Sequence, residues 1–165
     1  MKVGIDASNL LQGGGVTHLC EFLNVASNST QHEFVVWCSS EMVGRIQEFC
    51  GDNVKVICPS EINKGFVSRF KWQTFKLKVE LRRESCDVLF SPGGLYLGCF
   101  RPFVTMSRNM LPFEIKELVR YFPHLRFFKM LILRILQKLT FRNASGVIFL
   151  SKYAFDTINK GHRVS

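Results

Sequence analysis

Six short runs of apolar, mostly β-branched or aromatic residues recur along the chain, each closed by turn residues, with stretches of helical character between most of them. They begin at Lys2 and continue at Glu33 to Ser39, Val54 to Cys58, Asp87 to Ser91, Phe103 to Ser107 and Gly146 to Ser151. Strands that alternate with helices pair in parallel, because parallel neighbours need a long crossover and a helix is the usual one. The pattern therefore predicts an α/β domain with a doubly wound, mainly parallel, Rossmann-like sheet. Helices are expected up to about Ala26, over Met42 to Phe49, over Phe66 to Arg83, from about Ile115 to Phe141 with a break at Pro123, and over Tyr153 to Asn159. In such folds ligands gather at the carboxyl ends of the strands. The loops at issue are Ala7 to Gly15, Pro92 to Gly94 and Arg108 to Phe113.

The first of these loops carries the sharpest chemical signal. Val3 and Ile5 have strand character, while Val16, Leu19, Cys20 and Leu23 return at helical spacing, so Gly13, Gly14 and Gly15 stand where a strand hands over to a helix. Without side chains there, a ligand can approach the backbone, and the free amides at the helix start favour an anion such as a phosphate. A tight turn beneath a helix would use the same glycines. The dinucleotide fingerprint needs a small residue where His18 stands, and the phosphate loop of nucleotide triphosphatases needs Gly-Lys-Ser/Thr where Gly-Val-Thr stands.

At 165 residues the chain has the length of one domain, and its formal charge of +9 points to an anionic partner. Six cysteines form no C-x-x-C pair and no metal-ligand cluster with the four histidines. Cys38, Cys58 and Cys86 fall on or beside apolar runs and are expected to be buried free thiols, which suit a reducing compartment. Strand residues from Lys2 onward leave no room for a signal peptide, and no run is apolar for long enough to cross a bilayer, so a cytoplasmic protein is expected.

Two helices carry the positive charge. In Leu125 to Arg142, Phe128, Ile132, Ile135, Leu136 and Leu139 share one face, expected to pack on the sheet, and Arg126, Lys129, Arg134 and Lys138 occupy much of the other. Phe127, Leu131 and Leu133 lie off that stripe. In the helix over 66–83, Phe66, Phe70, Leu77 and Leu81 form the expected core stripe, while Trp72, Phe75 and Val79 form a second among Lys71, Lys76, Lys78, Arg82 and Arg83. Apolar residues interleaved with basic ones describe an interfacial surface, so both helices, 66–83 and 125–142, are expected to meet an anionic membrane.

Four pieces then carry a resemblance: Asp-Ala-Ser followed by Gly-Gly-Val-x-His; Asp87-Val-Leu-Phe-Ser-Pro-Gly-Gly; Val104-Thr-x-Ser-Arg-Asn-Met-Leu-Pro-Phe-Glu114; and Ala144 to Ile158. In this order they resemble the amino-terminal half of a group 1 (family 4) retaining glycosyltransferase of the GT-B fold, over nearly the whole chain. The resemblance implies two Rossmann-like domains facing a cleft, one mainly for the acceptor and one for the nucleotide-sugar donor. Residues 1–165 would be the acceptor-side domain, with the donor-binding domain absent, and such a fragment is expected to fold without turnover. The implied substrates are a nucleotide sugar and a lipid-linked or polysaccharide acceptor in cell-surface glycan assembly at the inner membrane face, with no bound metal and no further cofactor.

Carried over residue by residue, Gly14 and Gly15 match the family's glycine loop beside the donor diphosphate, and Gly13, Thr17 and His18 go to the same site; a surface or capping histidine is the other reading of His18. Many relatives have a His-Asp pair before the proline of the loop after the fifth strand, where Arg108 and Asn109 stand here. Arginine can clamp a phosphate or a developing anionic charge through its fixed fork of donors, yet it cannot serve as a general base. Ser91, Gly93, Gly94, Ser107 and Glu114 fall on the acceptor side, and Glu114 equally suits the first turn of a helix.

Other classes fit less of the chain. A nucleic-acid module would use the same basic surface but shows no stacking sheet or reading helix, and none is expected to bind. A dinucleotide enzyme would need Glu41 to hold a ribose and fails at His18. A non-catalytic, basic α/β domain that binds a membrane or a partner stays open as the alternative.

Overall fold

The computed structural model describes residues 1–29, 31–114, 119–120 and 122–159. Strand β1 (Lys2–Asp6) leads through the glycine loop into helix α1 (Gly14–Ala26). Then come β2 (Glu33–Trp37), α2 (Ser40–Ile46) with a closing 3-10 turn over Gln47–Phe49, β3 (Val54–Ile57) and the short α3 (Ser60–Asn63). One long helical stretch follows, made of α4 (Phe66–Lys71), a π turn (Trp72–Lys76) and α5 (Leu77–Arg83). The remainder is β4 (Val88–Ser91), β5 (Phe103–Ser107), a 3-10 turn over Leu111–Phe113, α6 (Leu125–Asn143), β6 (Gly146–Phe149) and α7 (Lys152–Asn159). Of the helical region expected from about Ile115, residues 115–118 lie outside the described residues, and the described helix starts beyond Pro123.

All six strands form one parallel sheet in the order β3-β2-β1-β4-β5-β6. The winding reverses between β1 and β4, where Val3 pairs with Val88 and Ile5 with Phe90. At such a switch point the loops that leave the two strands part in opposite directions and open a crevice.

Side chains alternate between the two faces of each strand. On one face Val3, Ile5, Phe34 and Val36 pack with Leu19 and Leu23 of α1 and Met42 and Ile46 of α2. On the other, Val35, Trp37, Leu89 and Phe103 pack with Trp72, Leu77 and Leu81. Gly4 points to this second layer, and the space that a Cβ would need there is taken by Leu81 and Trp37. Burying one leucine of this kind contributes about 1.5–3 kcal/mol.

Three packing expectations are corrected. In the 66–83 helix the inward residues are Arg69, Trp72, Gln73, Leu77 and Leu81, whereas Phe66 is exposed and stacks on Phe70 with ring centroids 6.3 Å apart. The cause is the π turn. Its extra residue puts Trp72 and Leu77, five apart, on one face and rotates α4 so that Phe66 leaves the core. The Thr74 hydroxyl donates to the Phe70 carbonyl at 2.9 Å, beside this break in the regular ladder. In α6 the buried residues are Gln137, Thr140 and Phe141, while Phe128, Ile132, Ile135 and Leu139 face outward. That helix is set by polar contacts to the loop after β4: the Tyr96 amide donates to the Thr140 hydroxyl at 3.2 Å, and Tyr96 packs edge-on against Phe103. The expected thiol burial holds for Cys38 and Cys86 but fails for Cys58, which is exposed one residue past the end of β3.

Candidate functional site

The amino end of α1 is bare. Its cap residue is Gly13, at φ 77°, no side chain caps the first turn, and no acid stands in it. A positive φ favours glycine, and the uncapped amides give this end a partial positive charge. Nothing lies within 4 Å of the place where a Cβ on Gly14 would stand. Gly15 differs: the guanidinium of Arg108 fills the space its Cβ would need, with Cζ 2.7 Å from that point.

Arg108 follows Ser107, the last residue of β5, and is half-buried. Burial lowers its pKa from the usual arginine value. Its Nη1 is shielded from solvent and has no hydrogen-bond partner, and among the described residues no carboxylate pairs with it. A cation thus lies against the positive end of a helix without a counter-charge. Such an arrangement is electrostatically unfavourable.

The neighbouring loop is closely fitted. Gly94, at φ +71°, packs so tightly that a Cβ would stand 2.9 Å from the Met106 carbonyl and 3.2 Å from Gln137 Nε2. The exposed Gly93 lies opposite Asn9, which joins the loop after β4 to the loop after β1. Ser91 and Ser107 close β4 and β5; both are buried, and their hydroxyl oxygens have no partner. The Thr105 hydroxyl donates to the Ser91 carbonyl at 2.9 Å.

Other residues assigned from the sequence stand apart. Thr17 is exposed and His18 half-buried on a flank of α1 that lines a shallow groove with Gly14, Glu21 and Phe22. Asn109 is exposed, and its Oδ1 accepts the Leu111 amide at 3.1 Å, so it shapes the turn that opens the 3-10 segment. Glu114 accepts a hydrogen bond from the Tyr153 hydroxyl at 3.3 Å, which ties it to α7. Its expected place at a helix start borders 115–118, outside the described residues.

Three side chains at the crevice were not singled out from the sequence. Asp6 ends β1 and is buried; its Oδ1 accepts the Ser8 amide at 3.1 Å and the Ser8 hydroxyl at 2.6 Å, and its Oδ2 accepts Gln73 Nε2. Burial raises the Asp6 pKa, and the hydrogen bonds from Gln73 and Ser8 oppose the rise. Gln73 Nε2 also donates to the Leu95 carbonyl at 3.0 Å, bridging the loops after β1 and β4. Arg69, one turn earlier, donates from Nη1 to the Ser8 carbonyl at 3.2 Å. An acid closing an otherwise apolar strand was the available signal for Asp6; the π turn hid the other two.

Among the described residues no group of three His, Cys, Asp or Glu side chains could hold a metal ion, and no helix is long and apolar enough to cross a membrane. Sheet order and loop geometry together define a Rossmann-like α/β domain in which the Arg108 guanidinium stands at the bare amino end of α1, beside the switch point. Comparisons with family models, with curated proteins and with solved structures give no match.

Proposed function

We propose that this chain is the acceptor-side domain of a retaining, nucleotide-sugar-dependent glycosyltransferase of the GT-B type, acting on a lipid-linked or polysaccharide acceptor at the cytoplasmic face of a membrane. One observation carries the reading: the unpaired Arg108 guanidinium lies over Gly15 at the bare amide end of α1, beside the switch point. Glycosyl transfer from a nucleotide sugar releases a diphosphate, so negative charge grows where this cation and these amides stand. Donors fixed in advance around a developing anion stabilise the transition state more than the ground state. Arg108 cannot take the acceptor's proton, so its role here is electrostatic, with Asn109 shaping the loop that carries it. A donor-binding domain facing the crevice would complete the site.

The outward face of α6 supports the membrane part of the proposal. Phe128, Ile132, Ile135 and Leu139 stand exposed beside Arg126, Lys129 and Arg142. Each basic side chain near an anionic leaflet is worth about 1 kcal/mol. The same surface favours a second reading, a non-catalytic membrane-binding or partner-binding domain. The deciding experiment follows label from nucleotide sugars into lipid and polysaccharide fractions, using the polypeptide encoded by the whole reading frame and its Arg108→Ala variant. We expect transfer by the parent and a loss of about 100-fold or more in the variant, the usual cost of removing one such donor. Vesicle binding without transfer from any nucleotide sugar would leave the second reading in place.

A further inference from the structure

Helix α6 is buried only along its second half, through Gln137, Thr140 and Phe141. The same side of the helix continues toward its amino end, because Arg126 stands eleven residues before Gln137 and Lys129 eleven before Thr140, about three turns in each case. There the packing runs out and leaves a cavity of about 310 Å³ lined by Leu111, Arg126, Lys129 and Met130. Two cations three residues apart thus share one cavity with two apolar side chains. Among the described residues no carboxylate pairs with either cation. The sequence has no Asp or Glu from 118 to 155, and Glu114, in the turn after Leu111, accepts the Tyr153 hydroxyl. A first turn that served the helix alone would carry an acid; this one carries Arg126 and no acid. On the opposite side of α6 stand the exposed Phe128, Ile132, Ile135 and Leu139. An interfacial helix sinks its apolar side about 5–10 Å into the boundary of headgroups and acyl chains, and a helix with its side chains is about 10–12 Å wide. With that row in a membrane, the cavity stands at the level of the lipid phosphates.

We propose that this cavity seats the phosphoryl group of the acceptor's lipid carrier, so that the acceptor is lipid-linked and not a free polysaccharide. This rests on the membrane-face glycosyltransferase reading given above. Arg126 offers the phosphoryl oxygens a planar fork of donors and Lys129 a compact charge, while Leu111 and Met130 meet the first methylenes of the lipid. The site is separate from the one at Arg108, which faces the departing diphosphate of the donor. Leu111 is three residues from Arg108, a chain length of at most about 11 Å, so the glycan on such a carrier begins close to the crevice.

The test is a calorimetric titration of the polypeptide encoded by the whole reading frame. The ligands are dihexanoyl phosphatidic acid, kept below its micelle-forming concentration, and sn-glycerol 3-phosphate. The expected result is saturable one-to-one binding of the lipid, at least 10-fold tighter than binding of the soluble ester. The double variant Arg126→Gln/Lys129→Gln should bind it at least 10-fold more weakly. Met130→Trp, which fills the cavity and keeps every charge, should weaken it to a similar extent. Melting curves establish that each variant folds; should one fail, the other variant and the two ligands on the parent still decide. Parental affinity in Met130→Trp makes the surface a diffuse basic patch and overturns the inference, as does parental affinity in the double variant or the absence of saturable binding. Equal affinity for the ester and the lipid makes the occupant a soluble phosphate and overturns the lipid assignment. Label transfer into polysaccharide without lipid binding removes this inference alone, and lipid binding without transfer removes the glycosyltransferase reading alone.

Discussion

Replacing Gly15 by alanine separates the chemistry of the crevice from the stability of the fold. The added methyl falls where the Arg108 guanidinium lies, and what must move is the far end of a flexible side chain rather than backbone. Gly15 has helical geometry in the first turn of α1, where alanine is favoured over glycine by about 0.5–1 kcal/mol. Arg108 swings toward solvent and recovers hydration. Folding should therefore be unchanged or improved, and the melting temperature of a domain this size should rise by about 2–4 °C per kcal/mol gained. Anion binding should suffer. A hydrogen bond to a charged group is worth about 1.5–3 kcal/mol, and each 1.4 kcal/mol is about tenfold in affinity, so inorganic pyrophosphate should bind roughly 10- to 100-fold more weakly. Calorimetric titration beside a thermal melt reads both quantities. A variant that melts several degrees lower, or one that binds pyrophosphate as the parent does, would refute the placement of Arg108 over this turn as the reason for its function.

Further expectations concern buried groups. Burial holds the Asp6 carboxyl above the usual carboxylate range, so its proton stabilises the folded state below the unfolded-chain value, and that contribution is lost as pH rises through the raised folded value. The stability advantage of the parent over Asp6→Asn should thus shrink as pH rises from acid toward neutral; urea melts in which it grows would contradict this. Thiol labelling of the native chain should modify Cys58 and Cys99 quickly, Cys50 more slowly, and Cys20, Cys38 and Cys86 only on unfolding. Burial pushes Cys38 up to about 12 and Cys86 to about 11, so neither is a thiolate near neutrality. Fast mass-spectrometric labelling of Cys38 would show that the sheet opens beside it.

The six strands and their parallel pairing are legible in the sequence because each run is short, apolar and followed by turn residues, and helices between such runs are the usual parallel crossovers. The glycine loop is legible for the same local reason. Periodicity alone could not say which face of a helix meets the sheet. In α6 the apolar set at Phe128, Ile132, Ile135 and Leu139 looked like the core stripe, yet the sheet side is held by Gln137 and Thr140, whose fit depends on Tyr96 and Gly94 far away in the chain. Over 66–83 the residues keep an unbroken helical pattern, which predicts a regular turn where a wider one forms. The role of Asp6 is not legible locally because its partner Gln73 is supplied from 67 positions away.

The π turn also bears on how this segment tolerates changes of length. Loss of one residue inside a helix ordinarily rotates everything beyond it by about 100° and exposes a core side. Here the surplus residue is already accommodated as a bulge, and Phe75 within it is 72% exposed. Removing Phe75 would bring Trp72 and Leu77 from five apart to four, and Gln73 and Leu77 from four to three, both ordinary helical spacings that keep the same side chains facing inward. A one-residue deletion at this place is therefore expected to straighten the helix and leave the crevice intact, so that relatives one residue shorter here would keep the same inward faces.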